Sequence, residues 1–295
     1  MSIDKAGTSG ASTGQKAAAG VSAVEADAKP SLPAADSREP AQATLPVPLS
    51  ASLTGRPLLS CYFPLGDPAI ALDCLDLYAG EGVDVLEIGM AAPDPFLDGA
   101  DVRASMARAD RTRWRGDLDA VLDRLARLPN PPRTLLMTYV DPAHPGLSDT
   151  GLWRGMDSLL AVSRPNDPLA ARLEASALSA GTALSAFVAL PPSPSALMRA
   201  RQAGFYVMLQ AHDGPTGPRE RLDPENSARI ASLRTEGVKA PVMLGFGIST
   251  GEQARAARDL GADGVVVGSQ VLRAALAGPG ALRLLLREMR SGLDA

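Results

Sequence analysis

The sequence is poor in cysteine and histidine, and this scarcity limits the metal and redox chemistry open to the chain. Its 295 residues include two cysteines, Cys61 and Cys74, and two histidines, His144 and His212. The cysteines lack the close spacing of zinc ligands, and the histidines do not form a ligand cluster with them. We therefore expect no metal site, and we interpret both cysteines as small apolar residues of a core in a reducing cytoplasm.

An excess of positive charge and long apolar runs are also missing. Lysine and arginine number 29 against 33 aspartates and glutamates, which gives a net charge of −4. No basic surplus exists to neutralise the phosphates of a nucleic acid or an anionic membrane. No apolar run approaches the ~20 residues of a membrane span, and the N-terminus lacks the pattern of a secretory signal. The sequence thus predicts a cytoplasmic protein that binds neither nucleic acid nor membranes.

Aromatic residues are absent from the first part of the chain. Residues 1–52 contain no Phe, Tyr or Trp and are rich in Ala, Ser, Gly and Pro. Such a segment cannot bury enough apolar surface to offset the entropy lost on ordering. We therefore predict a disordered tail over residues 1–52 and a single domain over residues 53–295.

Short apolar runs alternate with amphipathic segments from Arg56 onward. "VDVLEIG" and "DGVVVGS" are typical of strands buried on both faces, and the first helix is expected near Pro68. Eight strands, each followed by a helical segment, over about 235 residues predict a (β/α)8 TIM barrel. A doubly wound fold would instead need about six strands and a glycine-rich fingerprint, which the first turn "PLGDPAI" lacks.

The loops after the seventh and eighth strands, "GFGIST" and "VVVGSQ", favour an anion site. Gly245 and Gly247 let the backbone approach an anion, and Ser249 is predicted to cap the next helix. Gly268 and Ser269 can open a short helix whose first amides face the same anion. The alternative is that these are only turn glycines and caps. Their occurrence at the two strands that hold phosphate in many barrels favours a phosphate site.

The loop "AHDGPTGPRE" after the sixth strand is too long for a simple turn. It is interpreted either as a lid that closes over a ligand or as an ordinary exposed loop. The sequence leaves both interpretations open.

Two carboxylates flank the end of the second strand. A lone acid such as Glu87 among buried strand ends is costly without a role or a partner. Its partial desolvation raises the pKa toward neutrality, which suits proton transfer. Asp98 lies in the following loop on the same face, with a helix N-cap as the alternative interpretation. Asp94 is as readily explained by a turn before Pro95.

Together these segments resemble the tryptophan synthase alpha chain family, from roughly Pro57 to Arg290. The resemblance is carried by "FPLGDP", "VDVLEIG" with "DPFLDG", "LPPS", "GPTG", and "GFGIS" with "QARAARDLGADGVVVGS". It implies a lyase of tryptophan biosynthesis that cleaves indole-3-glycerol phosphate to indole and glyceraldehyde 3-phosphate without a cofactor of its own. It also implies an α2β2 heterotetramer, in which indole passes to a beta chain that carries pyridoxal phosphate.

The resemblance assigns roles to individual residues. Asp98 would accept a hydrogen bond from the indole N1, and Glu87 would move protons at the indole C3 and at the glyceryl hydroxyl. The remaining matches are Gly217, Gly247, Gly268 and Ser269 at the phosphate, Tyr62, Leu136 and Leu160 in the indole pocket, and Thr216 as the lid threonine that bonds the loop aspartate.

The chain also departs from the family pattern. Two prolines of the loop after the second strand are replaced by Ala91 and Ala100. The other departures are Ala211 and His212 for a Ser-Arg pair of the lid, Thr138 and Met208 for pocket tyrosines, and Ser163 for the aspartate that ends the fourth strand.

Two other functions remain open at this point. One is a non-catalytic alpha-like subunit that activates a beta chain, and the other is a stand-alone lyase acting on a modified indole glycerol phosphate. Retention of Glu87, Asp98 and both phosphate loops favours catalysis. A different phosphate-sugar barrel is disfavoured, because "LEIG" and "DPFLDG" would then be coincidental.

Overall fold

A closed barrel of eight parallel strands forms the centre of the computed structural model, which describes residues 55–164, 166–214 and 221–295. Each strand pairs with the next along the chain, and the eighth pairs with the first. The predicted TIM barrel is therefore confirmed, whereas the predicted tail lies outside the described residues. The strands are β1 (Leu58–Pro64), β2 (Val85–Gly89), β3 (Arg133–Tyr139), β4 (Ser158–Val162), β5 (Ala183–Val188), β6 (Val207–Gln210), β7 (Val242–Gly245) and β8 (Gly264–Val267).

Helices surround this barrel and cover the outer faces of its strands. In the described part of the chain, none of them combines the length and apolar composition needed to cross a bilayer. They are α1 (Cys74–Gly80), α2 (Ala100–Arg108), α3 (Trp114–Leu125), α4 (Pro168–Ser179), α5 (Pro194–Gln202), α6 (Asn226–Thr235), α7 (Gly251–Asp259), α8 (Ser269–Leu276) and α9 (Pro279–Asp294).

Two helical segments differ from the sequence prediction. The first helix begins at Cys74, well after Pro68, because the Asp67 carboxylate accepts a hydrogen bond from the Ala69 N–H (3.0 Å) and holds a turn there. After β3 the described chain forms two short 3₁₀ helices, Pro145–Leu147 and Thr150–Trp153, instead of an α-helix. Proline and glycine make this connection a poor α-helix.

Strand register determines which side chains face the barrel interior. Tyr62 of β1 pairs with Glu87 of β2, and Glu87 pairs with Leu135 of β3. Because side chains alternate between the two faces of a strand, Tyr62, Glu87 and Leu135 share the inner face. Met137 of β3 pairs with Leu160 of β4 and therefore lies on that face as well.

The beginning and the end of the barrel meet at one buried carboxylate, that of Asp84 just before β2. Its Oδ1 accepts a hydrogen bond from Arg56 (2.6 Å), and its Oδ2 accepts one from the Leu59 N–H (2.9 Å). Arg290 of α9 donates to the same Oδ2 (3.0 Å) and also to the Pro57 carbonyl (2.8 Å). A buried charge is tolerated when it is paired and hydrogen-bonded in this way, and the contact fixes the last helix against the first strand.

Candidate active site

Glu87 projects from β2 into the barrel and is 3% exposed. Its Oε2 accepts a hydrogen bond of 2.7 Å from the Tyr206 hydroxyl. Burial raises the pKa of Glu87 to about 7, the Tyr206 hydrogen bond opposes that rise, and the negative charge of Asp98 adds to it. A carboxyl group with this pKa exchanges its proton readily near neutral pH, as general acid–base chemistry requires.

Asp98 is also buried, and it lines the same cavity as Glu87. Its Oδ2 accepts a hydrogen bond of 2.7 Å from the Tyr139 hydroxyl at the end of β3. The N-cap of α2 is Gly99, without a side-chain capping hydrogen bond, so Asp98 does not serve as that cap. Asp94, by contrast, is 68% exposed and pairs with Arg164 on the surface.

The cavity between these acids and the phosphate loops has an apolar wall. Tyr62 and Leu160, two of the residues that the resemblance assigns to an indole pocket, line it. Phe246 lies between the two glycines of "GFG" at a positive φ of 71°, and its ring stacks on that of Phe187 at 5.4 Å between centroids. Aromatic and aliphatic walls of this kind suit a flat apolar ligand. The wall also contains Leu97, Val102, Met137, Val162, Met208, Ile248 and Val266.

The side chains of β3 that face the cavity are shifted by one position along the strand from those that the sequence interpretation chose. Met137 and Tyr139 line the cavity, and Leu136 and Thr138, which alternate with them, face the opposite side. Thr138 instead contacts the Nε2 of buried His144 through its hydroxyl at 2.9 Å. The pocket tyrosine that the sequence interpretation assigned to position 138 is therefore present at position 139.

The loops after β7 and β8 form the other end of the same cavity. Gly247, Ser249, Gly268 and Ser269 all line it, and Gly247 has a φ of 94°, a conformation that favours glycine. Among the residues that the structure describes, no side chain caps the N-terminus of α8, and its first amides are suited to an anion. The cap of α7 is Thr250 rather than Ser249.

Part of the loop after β6 lies outside the described residues, and with it Thr216 and Gly217. The start of this loop is held by Gln210, whose side chain donates to the Gly214 carbonyl (2.7 Å) and accepts from the Leu190 N–H (3.0 Å). The choice between a lid and an ordinary loop therefore stays open.

Charged groups flank the phosphate end. Arg273 of α8 lines the cavity and donates from Nε (2.8 Å) and Nη2 (2.5 Å) to Oδ2 of Asp101 in the first turn of α2. Within the described ranges, no three His, Cys, Asp or Glu side chains are grouped so that they could hold a metal ion.

The sequence that forms this barrel is similar to those of known proteins. The family model described as "Tryptophan synthase alpha chain" matches residues 50–279. This chain belongs to the tryptophan synthase alpha chain family. The recognition made from the sequence motifs, and the expectation that the chain is an enzyme of this type, are thereby confirmed.

Individual members of the tryptophan synthase alpha chain family match most of the chain. The alpha chain of Synechococcus elongatus is 31% identical over 254 residues, covering 81% of this chain and 92% of the relative. That of Geobacter sulfurreducens is 33% identical, covering 74% and 84%. A solved structure of Mycobacterium tuberculosis tryptophan synthase superposes with a TM-score of 0.68 at 26% identity, covering 81% of this chain and 93% of that chain.

Sequence reasoning did not identify several side chains that contribute to the site of this family member. The main omissions are Tyr139, Tyr206, Phe187 and Phe246. Tyr139 is found only once the register of β3 against β2 is known, because alternate residues can then be counted from Leu135, the partner of Glu87. The glycines on either side of Phe246 mark a strained turn at a strand end, where barrel sites lie.

Proposed function

We propose that this chain cleaves indole-3-glycerol phosphate to indole and glyceraldehyde 3-phosphate. The observation that carries the proposal is one cavity lined by two buried carboxylates, Glu87 and Asp98, and by two loops suited to phosphate. Membership of the tryptophan synthase alpha chain family supports the same reaction.

Asp98 and Glu87 have different roles in the proposed reaction: one stabilises charge and the other transfers protons. The indole C3 gains a proton, which leaves a positive charge on the ring and makes it an electron sink. Asp98 accepts the N1–H hydrogen bond and stabilises that charge. The bond from C3 to the glyceryl chain then breaks, its electron pair returns to the ring, and the adjacent hydroxyl loses its proton to become the aldehyde.

Glu87 handles both proton transfers in this proposal. The proton gained at C3 equals the proton lost from the hydroxyl, so a single carboxyl group can complete the cycle without a net change. Its pKa of about 7 supports this role, because both protonation states are populated near neutral pH. No cofactor is needed for these steps.

The loops at the far end of the cavity hold the phosphate. We assign this contact to Gly247, Gly268 and Ser269, with Gly217 joining from the loop after β6. Backbone amides and the N-terminus of α8 favour a negative charge. Binding at this end orients the glyceryl chain across the cavity toward the two acids.

A beta chain carrying pyridoxal phosphate is the proposed partner, in an α2β2 heterotetramer of the cytoplasm. Membership of the tryptophan synthase alpha chain family supports this assignment, and we propose a groove beside the active site as the surface that binds the beta chain. It is formed by the loops after β2 and β3 and by the start of α3, and it includes Ala91, Ala92, Asp110, Trp114, Asp141 and Pro145.

Release of free indole from purified protein tests the proposed reaction. We expect indole from indole-3-glycerol phosphate both alone and with an added beta chain, and we expect Glu87→Gln to abolish it. Glu174→Gln serves as the control, since Glu174 is a partly buried acid of α4 that pairs with Arg199. Absence of indole in both mixtures would leave the non-catalytic subunit or another substrate as the better assignment.

The groove variant Ala92→Glu tests the partnership. Because a new charge there would be buried against a partner, we expect it to weaken beta-chain binding in sedimentation measurements without stopping indole release. Ala180→Glu, at an exposed position after α4, should leave binding unchanged. If the parent, Ala92→Glu and Ala180→Glu bound the beta chain equally well, this groove would be excluded as the interface.

A further inference from the structure

The hydroxyl group of Tyr62 is buried in the active-site cavity without a protein partner. Tyr62 is 2% exposed and lines the cavity. Its hydroxyl has no hydrogen-bond partner within residues 55–164, 166–214 and 221–295. The phenols of Tyr206 and Tyr139, by contrast, each donate a 2.7 Å hydrogen bond, to Glu87 and Asp98 respectively.

The ring of Tyr62 is buried and packs closely against a neighbouring strand. It lies against the backbone of Gly89, where a Cβ atom would overlap both the ring and the hydroxyl. The carbonyl of Tyr62 accepts a 2.8 Å hydrogen bond from the Tyr78 hydroxyl, which fixes the backbone of β1 at this point. The backbone that carries the Tyr62 side chain is thus anchored, and the hydroxyl lies in the wall of the cavity.

A phenylalanine would fill the same space without burying a polar group. Because a buried hydroxyl is unfavourable unless it forms a hydrogen bond, a ligand in the cavity that offers a partner to this hydroxyl would be favoured. Burial and the neighbouring charges of Asp98 and Glu87 raise the pKa of Tyr62 well above its usual value. The phenol thus keeps its proton and acts as a donor, so its partner is an acceptor atom.

The position of Tyr62 in the sheet indicates which part of the substrate it faces. On one side it pairs with Glu87 of β2. On the other side, Cys61 pairs with Val267 of β8, so Tyr62 lies level with Gly268, where the phosphate loop begins. The Tyr62 hydroxyl itself lies beside Gly89, two residues after Glu87 on β2, and it is therefore near the acid that is proposed to act on the glyceryl hydroxyl. The acceptor oxygens that the substrate brings to this acid are those of the three-carbon chain.

We propose that the Tyr62 hydroxyl donates a hydrogen bond to a hydroxyl oxygen of the glyceryl chain and thereby selects substrates with a hydroxylated chain. This inference rests on the proposed lyase function. The indole nitrogen does not fit the contact, because its N–H is itself a donor and is assigned to Asp98. The phosphate is assigned to the loops after β7 and β8.

A matched pair of ligands tests the contact. Indole-3-propanol phosphate has the same ring, chain length and phosphate as indole-3-glycerol phosphate but lacks the chain hydroxyls. For Tyr62→Phe we expect kcat/KM for the glycerol phosphate to fall about tenfold, the usual effect of one lost hydrogen bond. The inhibition constant of the propanol phosphate should change less than about twofold, since that ligand offers no partner to the hydroxyl.

Thermal unfolding of the same variant separates a binding role from a structural one. Since the hydroxyl has no protein partner in the described chain, Tyr62→Phe should unfold at the same temperature as the parent or higher. An equal loss of affinity for both ligands, or an unchanged kcat/KM for the glycerol phosphate, would overturn the inference while leaving the lyase function intact. A parent protein that releases no indole and binds neither ligand would overturn both.

Discussion

The guanidinium group of Arg273 in α8 holds the carboxylate of Asp101 in the first turn of α2, through two hydrogen bonds to one oxygen. α8 begins at the phosphate loop, and α2 begins two residues after Asp98. This ion pair therefore connects the phosphate end of the cavity with the loop that carries an active-site acid.

Removing either partner of this pair should affect catalysis more than folding. We expect Asp101→Asn and Arg273→Gln each to lower kcat/KM by up to about fivefold, because a partly exposed ion pair contributes at most about 1 kcal/mol. The double variant should be no worse than either single one, since all three lack the same link. Arg124 and Asp76 form a similarly exposed pair between α1 and α3, and the same changes there should leave kcat/KM unaltered. If the decrease in kcat/KM of the double variant equalled the product of the two single decreases, Arg273 and Asp101 would act independently and the proposed link would be contradicted.

The two aspartates of the loop after β2 should respond very differently to the loss of charge. We expect Asp98→Asn to lower kcat/KM by at least about a hundredfold, the usual scale for a group that stabilises a developing charge. Asp94→Asn changes an exposed residue paired with Arg164 and should cost less than about twofold. Steady-state kinetics of both variants checks the difference. Similar rates for the two would remove Asp98 from the proposed mechanism.

The hydrogen bond from Tyr206 should set the pH at which the enzyme works. Because this bond lowers the pKa of Glu87, Tyr206→Phe should move the transition of Glu87 in the kcat/KM profile upward from about 7, by roughly one pH unit. Tyr139→Phe, which removes the donor to Asp98 instead, should slow the reaction without moving that transition. A shift of the Tyr206→Phe profile to lower pH would contradict the assignment.

The raised pKa of Glu87 also predicts how stability depends on pH. Between the ordinary value of 4.5 and the folded value of about 7, the folded protein keeps a proton that the unfolded chain has lost. The contribution of Glu87 to stability therefore falls as pH rises through this window. Glu87→Gln should exceed the parent in the free energy of unfolding at pH 8, by up to about 3 kcal/mol, and match it near pH 4.

Urea denaturation at both pH values measures this difference. Glu225→Gln changes an exposed acid and provides the control, for which no comparable gain is expected. If the free energy of unfolding of Glu87→Gln differed from that of the parent by the same amount at pH 8 and at pH 4, the raised pKa of Glu87 would be contradicted.

The barrel and its two acids were predictable because they follow from local patterns. Each strand of the barrel is an apolar run bounded by turns, and Glu87 interrupts one of these runs near its end. Barrel geometry then places that end at the mouth of the site. Neither step requires knowledge of contacts between distant parts of the chain.

The partners of those acids depend on register and on long-range contacts. The run "LLMTYV" can direct either Thr138 or Tyr139 inward, and pairing with β2 decides in favour of Tyr139. The contact of Tyr206 with Glu87 joins residues 119 positions apart, and that of Arg273 with Asp101 joins residues 172 positions apart. No spacing rule reaches over such separations. The cap at Thr250 rather than Ser249 is a smaller case, in which two adjacent residues were equally suited to capping.

The buried carboxylate of Asp84 has a consequence for how the chain acquires its structure during synthesis. Its partner Arg290 follows it by 206 positions, so a ribosome completes nearly the whole barrel before that guanidinium group emerges. Until then the carboxylate is paired with Arg56 but lacks Arg290, and losing a partner is destabilising for a buried charge. We therefore expect partial barrels without the last helix to be less stable than the complete domain.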